Sequence, residues 1–259
     1  MATSNIPAMA ASPGSGTNCG TIAYPSGGAN GQIVPIKLAD GTVIYAKFTT
    51  DTSSSTQSSN TSPYNATFGR TAYGSTYGNY TISSTNNFVF NQLSTRPSTE
   101  SVTVTFYKDS SATQVINVTN ATVPINDVST GVSWSCGIFN TNCSPISNKS
   151  YQDVVKLTAK TSDGSTVGAT ITSTSGIQTQ NATAPSLAGN LSTGAYFPVA
   201  NALATPNSNG TTYGGTVNTT FGSASISSFT FTYSSNIESA TSSYTGAQGV
   251  SMGPFAVCV

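Results

Sequence analysis

The sequence predicts an all-β protein, a two-layered antiparallel β-sandwich whose first and last strands lie side by side. Three observations carry this. From Phe229 the chain reads Phe-Thr-Phe-Thr-Tyr, apolar and polar by turns, as a strand with one buried face must. Gly (24), Pro (12), Tyr (12) and Phe (11) are plentiful while helix-forming runs of Ala, Glu and Lys are missing, so local propensity favours strands and turns. Cys258 stands one residue from the last, and its distant candidate partner, Cys19, lies near the other end.

Taken in order, Met1 to Gly16 has neither a basic opening nor an unbroken apolar run, so it reads as a flexible arm or linker and not as an intact signal peptide. The sandwich is expected to occupy residues 17–259 as a single domain. No stretch reaches the roughly 20 apolar residues of a membrane-spanning helix. Cys19 to Tyr24 opens the structured part, and a turn is expected at Gly27-Gly28. Gln32 to Leu38 and Thr42 to Phe48, joined by Asp40-Gly41, form the strongest hairpin signal in the chain. Pro35 inside the first run predicts an edge strand or a bulge.

A Ser-rich loop follows Asp51, and then Tyr64, Tyr73, Tyr77 and Tyr80 recur among Gly and Asn without clean alternation. Asn87 to Phe90 and Ser101 to Tyr107 are strands, with a turn at Asp109-Ser-Ser before a further run, Thr113 to Val118. Ala121 to Val128 leads into Val132 to Cys143. Tyr151 to Lys160, the turn Asp163-Gly164 and the run from Val167 to Ser173 predict a second hairpin. Ile177 to Tyr213 is rich in Asn, Gly, Ser and Thr, with a helical turn around 196–204, and Gly215 to Phe221 returns the chain to the sheet.

Four cysteines allow three pairings. The pairing that suits their positions best is Cys19–Cys258 with a small loop closed by Cys136–Cys143. On the chain-entropy account the long bridge stabilises by about 5 kcal/mol and the short one by about 2–3 kcal/mol. Such bonds persist in an oxidising compartment. Trp134, the one tryptophan, stands two residues from Cys136; a ring packed against a disulfide is its simplest role, an exposed platform the other.

The series Asp153 to Ala159, Asp163-Gly164, Gly215 to Phe221, Ile226 to Tyr233 and Gln248 to Cys258 resembles the jelly-roll-like β-sandwich modules of large secreted and surface-anchored bacterial proteins, adhesins and matrix proteins among them. The similarity runs from about Ile125 to Cys258. It implies a jelly-roll-like fold and a secreted or cell-surface location. Those modules carry an Asp after the final Gly of the closing strand; here Pro254 follows Gly253, so no role of that acid is carried over.

Charge and residue types exclude several functions. Charged residues make up 6% of the chain and the net charge is zero, which offers no basic footprint for nucleic acid. With no His there is no Ser-His-Asp or Cys-His nucleophile, and no zinc site is expected. The eight acids show no convergent pair of the kind glycosidases use, and several fall in turns, so the chain is read as no enzyme. Calcium is the one cofactor considered: Asp127 and Asp153, with nearby carbonyls, supply oxygen ligands, although loop acids that cap turns explain both more simply.

Two readings of function remain. One is a structural or adhesive extracellular module, or a fibre subunit whose partners are other copies of itself or surface glycans, with the 1–16 arm adding a strand to a neighbour. The other is a carbohydrate-binding module, calcium-assisted, that stacks sugars on Tyr73, Tyr77, Tyr80 or Trp134. Against the second, tyrosines that cover a sheet end account for the same pattern. Asn-X-Ser/Thr triplets such as Asn65-Ala-Thr and Asn117-Val-Thr follow from the composition and bear on function only where the host glycosylates exported proteins.

Overall fold

In the computed structural model, residues 18–51, 67–69, 72–73, 80–81, 87–93, 98–128, 130–136, 143–175, 215–237 and 247–259 are described. Their regular structure is β, in two large antiparallel sheets packed face to face with a small separate ribbon. The arm at 1–16, Tyr64, Tyr77 and the 196–204 segment lie outside the described residues.

One sheet has seven strands. β3 (Ile33–Lys37) pairs with β4 (Val43–Asp51), β4 with β9 (Ser98–Tyr107), β9 with β16 (Ile226–Ile237), and β16 with the long β12 (Cys143–Thr161). The far side of β12 carries β11 (Thr130–Cys136) along its first half and β13 (Thr166–Gly168) near its end. The other sheet has nine strands. β14 (Thr170–Ser175), β15 (Gly215–Thr220) and β10 (Thr119–Val128) lie side by side, and the next position is shared end to end by β17 (Ala247–Met252) and β18 (Ala256–Cys258). Beyond β18 lies β1 (Cys19–Thr21); beyond β17 lie β8 (Asn87–Leu93), β5 (Thr67–Gly69) and β2 (Gly27–Gly28). The ribbon joins β6 (Ala72–Tyr73) to β7 (Tyr80–Thr81).

The alternating residues fill the space between the sheets. Val102, Val104 and Phe106 of β9 and Phe229, Phe231 and Tyr233 of β16 are fully buried, while Thr103 and Thr230, on the outer face, meet hydroxyl to hydroxyl at 2.9 Å. Ile226 also points inward, three residues before Phe229. A register shift against β12, where Lys160 faces Ser228 but Thr161 faces Ile226, absorbs the extra residue as a bulge. A second bulge lies on β10, where Thr119 and Thr122 face Cys258 and Ala256; Asn120 takes φ 50° there, a conformation Asn tolerates better than most residues.

β17 and β18 are one closing strand interrupted at Gly253-Pro254-Phe255. The interruption explains Pro124, a proline inside a central strand. Its carbonyl accepts from the Gly253 N–H at 2.8 Å, and the amide hydrogen it lacks would have pointed at the same gap in the ladder. Gly253 is tightly packed: a Cβ there would lie 3.0 Å from Pro124 Cγ and 3.2 Å from Asn126 Nδ2, so a side chain would require these neighbours to give by a few tenths of an ångström. The Ile22 N–H donates to the Phe255 carbonyl at 3.0 Å and the Tyr24 hydroxyl to the Gly253 carbonyl at 3.1 Å, so the segment after β1 holds the break in place. Burial pushes the Tyr24 phenol well above its ordinary pKa, which keeps it a hydrogen-bond donor at any physiological pH.

Phe255, turned inward at the break, is the meeting point of the aromatic core. Its ring lies 5.1 Å from Phe229, 6.1 Å from Phe106, 6.2 Å from Tyr24 and 6.5 Å from Phe48, with the Phe229, Phe106 and Tyr24 contacts edge to face. Phe48 continues the cluster to Phe68 at 4.8 Å.

The first and last strands are adjacent, as expected: Cys19 lies opposite Cys258, and a disulfide joins them with the Cα atoms 3.9 Å apart. β1 also touches the other sheet, since the Ala39 N–H donates to the Cys19 carbonyl at 3.0 Å and Gly20 sits too close to the Lys37 carbonyl for any side chain. The Asp40-Gly41 hairpin forms, with Gly41 at φ 90°, and Pro35 lies on an edge strand.

Three local expectations are corrected. Gly27-Gly28 pairs with β5, and the turn falls at Asn30-Gly31 instead, closed by Gln32 N–H to the Ala29 carbonyl at 3.1 Å. The run 113–118 is no strand: it is held at Val115 and Val118 by isolated bridges, because the Asp109 turn consumes its beginning. Of the predicted partner of β12, Thr166–Gly168 alone pairs with it; after Ala169 the chain crosses to β15 in the other sheet. Alternation marks a strand without naming the sheet it joins.

Truncation of Phe255 to Ala is expected to cost about 3–5 kcal/mol, since four aromatic neighbours lose one face each. Urea unfolding of the oxidised protein, followed by Tyr and Trp fluorescence, measures it; a loss below 1 kcal/mol contradicts the central place given to this ring.

Candidate functional site

The strand directions divide the sandwich into two ends. Tyr45 faces Tyr107, Ser228 faces Thr105 and Thr161 faces Ile226, so the turns at Asp40, Asp109 and Asp163 all lie at one end of the seven-stranded sheet. Through the Ala39–Cys19 hydrogen bond the disulfide lies at this end as well.

Each of the three acids is occupied by its own turn. Asp40 accepts from the Thr42 N–H at 2.8 Å and the Thr42 hydroxyl at 2.9 Å. Asp109 accepts from the Ser111 hydroxyl at 2.6 Å, the Gln114 N–H at 2.8 Å, the Thr113 hydroxyl at 3.0 Å and the Ser111 N–H at 3.1 Å. Asp163 accepts from the Thr161 hydroxyl and from the Ser165 N–H at 3.0 Å. These donors favour the ionised form. The Ser111 hydroxyl, above all, holds the Asp109 carboxyl far below the usual range; the Thr161 hydroxyl holds Asp163 at about 2, and the Thr42 N–H lowers Asp40. A carboxylate so engaged is a poor base and a poor metal ligand, and the turn role the sequence suggested for these acids is the one they fill.

The opposite end holds Trp134, Asp127 and Asp153, placed there by their strand positions. β12 continues for eight residues, Cys143 to Ser150, past its last pairing with β16 at Tyr151. Paired with β11 over that length, with a register shift between Val132 and Trp134, it forms a hairpin arm whose reach is set by the shorter strand, roughly 16 Å for Val132 to Cys136 at ~3.3 Å per residue. Trp134 lies on this arm opposite Pro145, and Cys136 lies directly opposite Cys143. Asp127, near the end of β10, and Asp153, opposite Ser235 on β12, fall at the same end of the sandwich although 26 residues separate them in sequence. Among the described residues no three His, Cys, Asp or Glu converge as metal ligands.

Tyr73 and Tyr80 are directly opposite on the β6–β7 ribbon and therefore share one of its faces. This ribbon connects Gly69 to Asn87, which are themselves paired, so it leaves from the Asn87 end of β8. The Trp134 arm leaves from the other end, where β10 passes into β11. The strand directions thus join two of the tyrosines and set the tryptophan apart from them.

Sequence reasoning missed the buried polar residues. Asn87, Ser251, Asn126 and Glu100 are at most 1% exposed. Asn126 faces Ser251 and Ser251 faces Val89, which puts Asn87, Ser251 and Asn126 on the outer face of the nine-stranded sheet, away from Phe88 and Met252. Among the described residues the amide of Asn87 and the Ser251 hydroxyl find no hydrogen-bond partner. Glu100 lies opposite Tyr233, inside the sandwich. Its parity with Val102, Val104 and Phe106 was visible in the sequence and places it on the core face.

Comparison of the chain with protein-family models, with curated proteins and with solved structures gives no match.

The lowered acids set a pH dependence. Their folded pKa values lie below the unfolded ones, so the stabilisation is present above about pH 4 and is lost as pH falls from there, through about 2 for Asp163 and lower still for Asp109. Asp109→Asn is expected to lower Tm at pH 7, with the gap to the parent protein narrowing steadily below about pH 4 and still partly open at pH 2. A pH series of thermal melts tests this, and a gap that stays constant contradicts it.

Proposed function

We propose that the chain is a non-enzymatic extracellular module, structural or adhesive, serving as a jelly-roll-like domain of a cell-surface protein or a subunit of a surface fibre. The observation that carries this reading is the Cys19–Cys258 disulfide, which joins strands 239 residues apart in sequence. A bond between the first and last strands is maintained outside the reducing cytosol. The uncharged surface supports the same reading: 6% charged residues and no net charge leave Ser, Thr, Asn and Gly to meet solvent. The acids at the disulfide end support a non-catalytic role, because each carboxylate is already saturated by its own turn. Partners are other copies of the chain or surface glycans.

Two measurements test this. Alkylation of protein taken directly from its cells is expected to leave positions 19 and 258 unmodified, and the protein to fractionate with the surface or medium; free thiols in a cytosolic fraction overturn the reading. Electron microscopy tests the fibre form: the full chain assembles, and removal of residues 1–16 stops it. Unchanged assembly without the arm rules out strand donation by that segment.

A carbohydrate-binding role is the second reading, favoured by Tyr73 and Tyr80 sharing one ribbon face. Sugar stacking on this pair predicts that Tyr73→Ala and Tyr80→Ala each weaken glycan binding about tenfold, equivalent to about 1.4 kcal/mol, while Trp134→Ala leaves it unchanged. A glycan array with calcium present and absent checks both the ligand and the ion. An array silent in both conditions removes this reading.

A further inference from the structure

The two half-cystines have a mechanical consequence. Cys19 and Cys258 are 239 residues apart along the chain, yet their Cα atoms are 3.9 Å apart. Immediately outside them the chain segments still run together, the Val259 N–H donating to the Asn18 carbonyl at 3.0 Å. The shortest covalent path from Asn18 to Val259 therefore crosses one disulfide and bypasses everything between.

From this we infer that the Cys19–Cys258 bond is a load bypass: tension that enters ahead of Cys19 and leaves beyond Cys258 passes through the sulfurs and never reaches the sandwich. The inference goes beyond the adhesive reading, because it is a property of the fold and holds for the oxidised protein wherever it resides.

The strand geometry shows why the bond is needed for this. β1 and β18 are antiparallel, with Cys19 opposite Cys258, Gly20 opposite Val257 and Thr21 opposite Ala256. Both strands are pulled from the same end, so without the disulfide their hydrogen bonds are loaded one after another, and the pair unzips. Strands loaded in this way share no force among their bonds. Once β1 has gone, β18 peels from β10, where Thr119 faces Cys258 and Thr122 faces Ala256. The next residue drawn out is Phe255, whose ring joins the aromatic core. The strand nearest the point of load is thus also the one whose loss opens the interior. One covalent bond separates an inextensible link from a tether that yields its whole length.

Other features point the same way. The Ala39 N–H holds the Cys19 carbonyl from the second sheet, and Gly20 allows the close approach to Lys37 that this needs. Cys258 is 2% exposed while Cys19 is half-buried, so a reducing agent reaches the bond from the Cys19 side.

The test is single-molecule force spectroscopy on the full chain held between two handle domains of known extension. The oxidised protein is expected to add no lengthening beyond the slack of the residues outside the two cysteines. After treatment with a dithiol, which forms its own ring disulfide as it converts the bond to two thiols, the same molecules gain the contour of 239 residues. At about 3.6 Å each this is roughly 860 Å. Cys258→Ser behaves as the reduced protein does. Should that variant fail to fold, the oxidised and reduced forms of the unaltered chain still give the comparison, since both start from the same folded molecule.

Oxidised molecules that lengthen by more than the outer slack, or reduced ones that do not lengthen, overturn the inference. Its failure is distinguishable from failure of the adhesive reading: a cytosolic location sinks the latter and leaves the oxidised force trace as it was.

Discussion

The closing strand constrains everything around it. β17 and β18 occupy one position between β10 on one side and β8 and β1 on the other, and at their interruption Phe255 turns into the core. A proline in β10, a tightly packed glycine, and the Tyr24 hydroxyl are all explained by that one gap. The same strand ends in the disulfide that fixes β1. In a sandwich, non-local pairings of this kind are slow to form because the loop entropy is lost before the contacts compensate. The covalent tie then removes the largest loop from the unfolded ensemble.

Division of labour between the two ends follows from the strand directions. One end is finished with short turns in which Asp40, Asp109 and Asp163 spend their oxygens on the hydroxyls and amides of their own loops. The other end carries the β11–β12 arm, with Trp134, Cys136 and Cys143 on it and Asp127 and Asp153 near its base. Rigid scaffolds commonly present recognition residues on connections at one end, held at a distance from the elements that secure the fold.

Much of the architecture was legible in the sequence. The Phe229-Thr-Phe-Thr-Tyr alternation and the Asp40-Gly41 hairpin appear as expected, because each rests on a short-range rule, period two and a turn that needs positive φ; the Cys19–Cys258 bond also appears, although its two residues are 239 apart. Glu100 was equally legible from its parity and was missed only because acids were weighed as catalysts and not as members of a strand face. Tyr73 and Tyr80 were legible as members of a series but not as cross-strand partners, since six residues lie between them and no periodicity sets the register of so short a ribbon.

What the sequence alone determined, then, is most of the long strands and which face of each is apolar, because side-chain alternation is a property of neighbouring residues. Only the tertiary structure decided which strands share a sheet: that Thr170–Ser175 leaves β12 for β15, that Gly27-Gly28 pairs where a turn was expected, and that Pro124 sits harmlessly in a central strand. Those choices depend on groups far apart in the chain meeting with the right hydrogen bonds and the right space, and no local pattern encodes that meeting.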